Sequence, residues 1–500
     1  MIALDWMMRL LKGFNNRPPK TIPTDRVVQL SAIDSSPNLR NTILNWSTCF
    51  YDVLDADMLR DSLQELLKMG NWRSLGGRLR LNSAGHVELH VPDHFTAARP
   101  AVHFTQERHK SSVLDHALRH TLPRDRDMPL VVDIRETFGQ ILAGPDAPQS
   151  FDEYINTDRP ALTVHVIAFI DCTFVTIVYS HCIADGMGRR AFIDNWCRVL
   201  RGDKASVMPL NDLSDDIFMR VADADKSRPV ERYILEDKLL TGFSRLRFLV
   251  RVAFESVFGP HKHLRSVFLP AALLASLRAE AHSDSACSPN LSDSDILTAW
   301  LVRLTLAHVA ASSKRPLVIS MVVDTRGRLP DSYIDPKLAH LCNRFVCAWI
   351  PLPLREFADG SLGRAATLVH QTLRPQLGEA QIRTMVRLTT EEIIRNGLTP
   401  FFADTNALVV PVSNIAKARF QDIIDFRPAV VAPGLDSSLS GTPSGKPVWT
   451  LNTVSRTYKD ISMGQVHLKD HAGNYWVTLL ATDKTWEKIN QLTNMLKKVT

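Results

Sequence analysis

The sequence predicts an α/β protein of two halves, each a mixed β-sheet flanked by helices, joined by a long crossover. The chain has 500 residues, which suits two large domains or about three average ones. Apolar residues make up 45% and charged residues 22%, as in globular chains with substantial cores. Runs of β-branched residues alternate with helical patterns in both halves, and this alternation carries the fold prediction.

Composition limits the classes of function. Lys and Arg total 59 against 53 Asp and Glu, a net charge of +6. This mild excess suits a pocket for an anionic small molecule, and it lacks the clustered basic face typical of nucleic-acid-binding proteins. The seven cysteines include no C-x-x-C pair, which disfavours a disulfide framework or structural zinc and favours a reducing compartment.

Targeting signals are weak. No apolar run reaches the ~18–20 residues of a membrane span. Residues 1–14 have a mixed helix-like pattern, without the apolar core and following small residues of a signal peptide. We therefore expect a cytoplasmic protein without a transmembrane segment.

The N-terminal half is predicted to span residues 1–202. Residues 161–170 and 173–180 are apolar, β-branched runs with a tight connection between them, and they predict neighbouring core strands. A helix is predicted over 189–201, with Gly202 at the position of a C-cap glycine. The earlier part of this half is predicted to hold a strand at 24–34, a helix at 55–69, and strands at 78–81 and 86–91.

A crossover is predicted over residues 203–264. It begins polar and acidic and ends basic and apolar. Residues 245–258 fit a membrane-surface helix with Arg245, Arg247 and Arg251 as its charged side. A helix packed on the domain surface is the favoured alternative.

The C-terminal half is predicted to span residues 265–500. A helix is predicted over 292–307, with Ser292 as its cap facing Asp295. Another helix opens at Pro270. The remaining elements of this half are strands at 266–269, 317–324, 345–352, 407–412, 449–454 and 475–481 and a closing helix at 486–498.

Chemistry is concentrated where the strand at 173–180 ends. His181 follows the strand, and its unperturbed pKa of ~6.5 allows proton transfer near neutral pH. Gly186 and Gly188 argue against a helix at this point, so His181 and Asp185 are not expected to stack on a helical face. Cys182 should point away from His181, which disfavours a Cys–His nucleophilic pair. No G-x-S-x-G motif supports a serine hydrolase.

Two simpler interpretations also fit these residues. A strand-end histidine is most often satisfied by a backbone partner. His181 and Asp185 could also be two ligands of a metal site, although no third and fourth ligand stand at a recognisable spacing.

The wider pattern identifies a family. His-x-x-x-Asp-Gly after a strand, followed by a helix that contains a tryptophan, resembles acyltransferases of the chloramphenicol-acetyltransferase-like fold. The closest branch is similar to the BAHD family and the fungal trichothecene-type O-acetyltransferases. Further matching segments, in family order, are Leu30-Ser31-Ala32-Ile33-Asp34, Leu75-Gly76-Gly77-Arg78-Leu79, LSDSDILTA at 291–299, Val323-Asp324-Thr325-Arg326-Gly327-Arg328, Asn343 and Asp425-Phe426.

Three departures from the family pattern stand out. The family's D-F-G-W-G reads D-F-R-P-A at residues 425–429, and we expect an altered structural loop rather than lost catalysis. The family's T-S-W reads Val412-Ser413-Asn414, without the threonine credited with helping the oxyanion. Position 180 is Ser, where peptide-forming condensation domains carry a second histidine.

The resemblance implies an acyl-CoA-dependent O-acyltransferase, most specifically an O-acetyltransferase, acting on a hydroxyl of a specialised metabolite such as a terpenoid or polyketide. His181 would be the general base in a ternary complex. It implies no permanently bound cofactor and no metal. The partners would be acetyl-CoA or another acyl-CoA and a small alcohol, without nucleic acid or an obligate protein partner, and the enzyme would be a monomer.

The resemblance also assigns supporting residues. Asp185 would be structural and paired with an arginine of the second half, with Arg326 as first choice and Arg328 as second. Gly186 would let the backbone turn closely, although a simple loop glycine fits as well.

Two further groups of residues would serve the substrates. Ser413 and Asn414 are candidate donors toward the oxyanion, with a strand-end cap as an equal alternative. The cations that could meet the CoA phosphates are unranked: Lys314, Arg315, Lys417 and Arg419.

Two other functions remain open at this level. One is a condensation-type enzyme that takes its acyl group from a carrier protein. The other is a non-catalytic relative that binds a metabolite.

Overall fold

The structure is a computed structural model of the chain. It describes residues 19–123, 128–133, 138–226, 231–284, 287–310, 312–435, 441–454 and 463–496. The helix-like stretch at 1–14 and the last two residues of the helix predicted at 486–498 lie outside these ranges. Within them, no helix is both long and apolar enough to cross a bilayer.

The described residues form a mixed α/β architecture, as the sequence predicts. The strands, in chain order, are β1 (Arg26–Gln29), β2 (Ile43–Phe50), β3 (Asp52–Leu54), β4 (Arg78–Leu81), β5 (Val87–Val91), β6 (His103–Arg108), β7 (Leu130–Asp133), β8 (Thr163–Ala168), β9 (Thr173–Ser180), β10 (Lys262–Leu269), β11 (Leu317–Asp324), β12 (Phe345–Leu352), β13 (Leu408–Asn414), β14 (Val430–Pro433), β15 (Trp449–Val454), β16 (Met463–Lys469) and β17 (Tyr475–Thr482).

Helices cover the sheets and fill the connections. In chain order they are α1 (Pro37–Arg40), α2 (Ala56–Leu66), α3 (Gly139–Ala143), α4 (Phe151–Ile155), α5 (Gly186–Leu200), α6 (Ile217–Asp225), α7 (Gly242–Phe258), α8 (Ala271–His282), α9 (Asp293–Thr305), α10 (Leu354–Asp359), α11 (Leu362–Leu373), α12 (Glu379–Asn396), α13 (Phe420–Ile423) and α14 (Asp483–Leu496).

The first large sheet has the strand order β15-β2-β9-β8-β6. Its three interior strands, β2, β9 and β8, are buried at every position. Apolar side chains predominate there, and buried hydroxyls such as those of Ser47 and Thr176 hydrogen-bond to each other. The edge strand β15 comes from the far end of the chain and pairs antiparallel with β2. The C-terminal part of the sequence therefore completes the sheet that carries His181.

The second large sheet has the order β12-β11-β13-β16-β17-β10-β7. It contains parallel pairs at β11–β13 and β13–β16 and antiparallel pairs elsewhere. Strand β7, from the first part of the chain, forms its edge beside β10. Each large sheet thus holds one strand from the other end of the sequence.

The connection between the halves packs on the second one. Ile217 and Val221 of α6 and Phe248 of α7 are buried in one apolar cluster with Val318 of β11 and Ile382 of α12. Burial of these side chains fixes the connection against the second sheet.

Most predicted elements of the second half are confirmed within two or three residues at each end. Strands β11, β12 and β15 have the predicted bounds, and Ser292 caps α9 by a reciprocal capping box with Asp295. The strand predicted over 24–34 is shorter, at Arg26–Gln29, because the chain turns after Leu30, and Ser35 N–H donates to the Ser31 carbonyl.

Candidate active site

His181 stands at the end of the buried strand β9. Its backbone N–H donates to the Thr42 carbonyl at 2.8 Å, which continues the pairing of β9 with β2 for one more residue. The side chain is half-buried, and its ring meets the edge of Phe345, with the two centroids 6.4 Å apart. Phe345 begins β12, so the imidazole lies where the two sheets approach each other.

The surroundings of His181 favour the neutral imidazole. Burial lowers its pKa below the ordinary 6.5, and the charge of Asp185 opposes this only in part. Burial disfavours the imidazolium because a charge loses its hydration there. A neutral ring near pH 7 is the form that accepts a proton.

The carboxylate of Asp185 is engaged by three donors. Its Oδ1 accepts the Gly188 N–H at 2.7 Å, which caps the N-terminus of α5. Its Oδ2 accepts Arg326 Nη1 at 3.0 Å and the Arg344 N–H at 2.9 Å. Asp185 therefore joins the loop of His181 to the second half of the chain.

Arg326, the first-choice partner, lies against Asp185. Its Nη1 also contacts Asp324 Oδ1 at 2.8 Å, and its Nη2 donates to the carbonyls of His340 and Cys342. The second-choice residue is elsewhere, because Arg328 Nη1 reaches the Leu377 carbonyl at 3.5 Å.

The prediction that glycines exclude a helix after His181 is wrong. Helix α5 begins at Gly186, and Asp185 is its N-cap. Gly188 is required by a close approach: a Cβ there would lie 1.9 Å from the Leu341 carbonyl oxygen. At Gly186 a Cβ would meet only the Cγ2 of Ile415 at 2.8 Å. His181 itself lies in a turn before this helix, so it does not stack above Asp185.

A second anchor of the His181 loop escaped sequence reasoning. Asn343 Nδ2 donates to the His181 carbonyl at 2.9 Å and to Asp34 Oδ1 at 2.7 Å. Asp34 is fully buried, and its other oxygen accepts the Ser31 hydroxyl at 2.5 Å. Burial raises the pKa of Asp34. The L-S-x-x-D motif and Asn343 both carried the family resemblance, but nothing in the sequence linked them to each other.

A buried cation lies one helical turn after Asp185. The guanidinium of Arg189 lies over the adjoining rings of Trp46 and Phe420, with its Cζ 4.6 and 5.1 Å from their centroids. Its Nη1 donates to Asn452 Oδ1 at 2.7 Å. Its charge contributes to the lowered pKa of His181.

A cleft of about 1110 Å³ opens beside this loop. Its lining includes Asp185, Gly186 and Phe345 on the side of the loop and Ser413 and Asn414 at the end of β13. The cleft therefore reaches Phe345, whose ring contacts the imidazole, while His181 itself is not among the lining residues.

Ser413 and Asn414 differ in what their side chains do. The Asn414 amide donates to Ser294 Oγ at 3.1 Å, and its carbonyl oxygen accepts the Ala416 N–H at 3.1 Å. The Asn414 side chain thus caps the end of its own strand. Ser413 lines the cleft beside it.

The structure separates the four candidate cations. Lys417 and Arg419 line the cleft. Lys314 does not line it, and Arg315 lies at another pocket in an ion pair with Glu255 at 2.9 Å. Both residues are exposed, but Arg419 Nε already contacts Asp422 at 2.5 Å.

The altered D-F-R-P-A segment is part of the first core. The ring of Phe426 stacks on Phe50 at 5.1 Å and meets the edge of Trp196 at 5.2 Å. The Ala429 carbonyl accepts the Asp55 N–H at 2.7 Å. The segment therefore packs in the first core and hydrogen-bonds to the residue between β3 and α2.

Among the described residues, no group of three or more His, Cys, Asp and Glu side chains is placed to hold a metal ion. The side chains around His181 supply instead a neutral base, hydrogen-bond donors and cations beside a cleft. These groups suit proton transfer and the binding of an anionic substrate.

Comparisons with known proteins give the family. Residues 147–426 match the Transferase family. The chain is 32% identical to O-acetyltransferase PaAT-2 of Phomopsis amygdali, over 94% of this chain and 98% of that protein. It is 30% identical to acetyltransferase adrJ of Penicillium rubens, over 98% and 99% of the two chains.

The fold is similar to that of a solved structure. The crystal structure of F. sporotrichioides TRI101 complexed with coenzyme A and T-2 aligns with a TM-score of 0.63 at 15% identity, over 93% of this chain and 97% of that one. The fold prediction is therefore confirmed. The chain belongs to the Transferase family, the BAHD-like acyltransferases, and is an acyltransferase of its fungal O-acetyltransferase branch.

Proposed function

We propose that this enzyme transfers the acetyl group of acetyl-CoA to a hydroxyl of a specialised metabolite, such as a terpenoid or polyketide, with His181 as general base. The observation that carries the proposal is the position of His181 at a strand end, with Asp185 and Arg326 tying its loop to the second half beside a large cleft. The acetyltransferase relatives support the choice of acyl group.

The reaction runs in a ternary complex without an acyl-enzyme. The neutral imidazole takes the proton of the acceptor hydroxyl while the hydroxyl oxygen attacks the thioester carbonyl. The tetrahedral intermediate then breaks its carbon–sulfur bond, and the imidazolium gives its proton to the departing CoA thiolate. The products are an ester and free CoA. Positioned acid–base catalysis of this kind contributes typically ~10²–10⁴-fold.

Stabilisation of the oxyanion falls to the end of β13. The Ser413 hydroxyl is our choice of donor, because it lines the cleft and the Asn414 amide is already bound to Ser294. Preorganised donors at such a place act on the charge that develops in the transition state.

The CoA phosphates meet cations at the cleft in this proposal. Lys417 is the first choice, since it is exposed at the lining and, unlike Arg419, makes no close contact with Asp422. The acyl-CoA is a co-substrate and the acceptor is a small molecule. We place the reaction in the cytoplasm. The odd number of cysteines and the absence of C-x-x-C pairs suit a reducing compartment, where disulfides are rare.

A donor experiment tests the function. The purified full chain is incubated with acetyl-CoA and a panel of hydroxylated terpenoids and polyketides, and ester products and free CoA are measured by mass spectrometry. We expect saturable, stoichiometric release of CoA and ester. Turnover only with a carrier-protein thioester would instead support a condensation-type enzyme. Metabolite binding without any turnover would support a non-catalytic relative.

A further inference from the structure

Helix α7 has an exposed apolar face of unusual size. Six large side chains are exposed along one side of its 17 residues. Their exposed fractions are Phe243 78%, Leu246 56%, Val250 60%, Phe254 62%, Val257 63% and Phe258 72%. A phenylalanine side chain carries about 150–250 Å², so the stripe reaches the several hundred Å² at which exposed apolar surface marks an interaction site.

The opposite side of α7 is already packed. Phe248 is buried, and Leu249 and Val252 pack against the same cluster of the second half. The helix is therefore apolar on two opposite sides, a pattern that a water-exposed surface helix does not have. The outward-facing apolar side chains of α7 are therefore not the ones that pack the helix onto the protein.

The arginines of α7 do two different things. Arg245 Nη2 contacts the buried Glu392 at 2.6 Å, and Arg251 donates to the carbonyls of Thr405 and Ala407. These two hold the helix to the protein and do not form the charged side expected of a membrane-surface helix. Arg247 is exposed together with the apolar stripe.

The charge of the outward face of α7 indicates which kind of partner it binds. The acid of α7, Glu255, is bound by Arg251 at 2.8 Å and by Arg315 at 2.9 Å, so the outward face of this fully described helix carries a cation and no free carboxylate. A convex apolar stripe with a basic residue suits the headgroup boundary of an anionic bilayer.

We propose that α7 docks the enzyme on the surface of a membrane that contains anionic lipid. The stripe of Phe243, Leu246, Val250, Phe254, Val257 and Phe258 enters the headgroup boundary, while Arg247 meets the lipid phosphates. The helix lies in the plane of the interface and does not span it. The inference is independent of the reaction at His181.

Vesicle flotation tests this docking. The full chain is mixed with vesicles of phosphatidylcholine alone or with phosphatidylserine added. We expect binding to the mixed vesicles, weakened by salt. The double variant Phe254→Asp/Phe258→Asp should bind at least about 10-fold more weakly, because two phenylalanines no longer enter the bilayer. The matched control is Ile170→Asp, at a residue 58% exposed in the connection between β8 and β9, which should bind like the unaltered chain.

Two further measurements test the role of Arg247 and the folding of each variant. Arg247→Gln, which leaves the apolar stripe intact, should lower the preference for phosphatidylserine and keep the residual binding to neutral vesicles. Thermal unfolding of each variant shows that it is folded. The proposal is overturned if the unaltered chain does not float with either vesicle. It is also overturned if the double variant binds as well as the control, or if ultracentrifugation shows that the stripe joins two copies of the chain in the absence of lipid.

Discussion

At the residue scale, the position of the His181 loop depends on three hydrogen-bond donors that share one carboxylate. The Asp185 carboxylate accepts hydrogen bonds from the Gly188 N–H, the Arg344 N–H and Arg326 Nη1, and the residue is buried. Removing the charge of a buried partner leaves the remaining charge poorly compensated, which is costly. The Asp185 carboxylate therefore ties the loop of His181 to Arg326 and Arg344 of the second half.

The first prediction concerns this carboxylate. Asp185→Asn should lower the free energy of unfolding by about 3 kcal/mol and lower kcat as well, because the His181 loop loses its tie to Arg326. Urea denaturation and steady-state kinetics measure the two effects. The matched control is Asp324→Asn, since Asp324 contacts the same Arg326 nitrogen at 2.8 Å but is more exposed and does not touch the loop. A fully stable but inactive Asp185→Asn would contradict the structural role.

The second prediction concerns the pH dependence of the rate. Burial lowers the pKa of His181 below 6.5, so the neutral base persists as the pH falls from 7 and is lost only below 6.5. We expect kcat/KM with acetyl-CoA to be flat on the neutral side and to fall on the acid side with a midpoint under 6.5. An acid limb centred at or above 6.5 would show that His181 is not desolvated as the structure has it.

At the element scale, two consecutive residues before β12 hold both ends of the segment from His181 to Asp185. Asn343 holds the His181 carbonyl, and the Arg344 N–H holds Asp185. Asp34 in turn fixes Asn343 from the N-terminal segment. The loop of His181 is therefore positioned by groups from two distant parts of the chain.

The third prediction concerns this clamp. Asn343→Ala should lower kcat by up to about 100-fold, since small displacements of a catalytic group have effects of that size, with little change in the KM for acetyl-CoA. The matched control is Ser31→Ala: Ser31 donates to the same Asp34 at 2.5 Å but does not reach His181. Equal losses of kcat in the two variants would mean that Asn343 only stabilises the fold.

The elements also show where sequence reasoning stops. Strands β11, β12 and β15 were predictable because their β-branched runs end at polar or proline residues. The start of α5 was not, because Gly188 is a local helix breaker whose reason is the carbonyl of Leu341, far away in sequence. The bond between Asn343 and Asp34 spans 309 positions, and no local pattern encodes it.

At the scale of the whole molecule, the two large sheets exchange strands. β15 completes the sheet of His181, and β7 completes the other one. The cleft is lined from the first half at Asp185 and from the second half at Ser413 and Lys417. Composition and local pattern predicted two sheets, but the exchange depends on which strand edges meet in space.

The fourth prediction concerns the cleft as a CoA site. Lys417→Ala should raise the KM for acetyl-CoA several-fold and leave kcat nearly unchanged, because a lost phosphate contact affects ground state and transition state alike. The matched control is Lys314→Ala, which removes the same charge outside the cleft lining. Steady-state kinetics with varied acetyl-CoA separate the two. A larger rise in the KM for acetyl-CoA in Lys314→Ala would mean that the CoA phosphates bind outside this cleft.

The proposed reaction depends on His181 as its base, and kcat of His181→Ala measures this most directly. The fifth prediction is a loss of at least about 100-fold with unchanged thermal unfolding and retained binding of acetyl-CoA. The matched control is His165→Gln on the neighbouring strand β8, a core histidine whose Nδ1 lies 2.7 Å from Thr105 Oγ1; its kcat should stay close to that of the unaltered enzyme. A folded His181→Ala with an intact kcat would contradict the account.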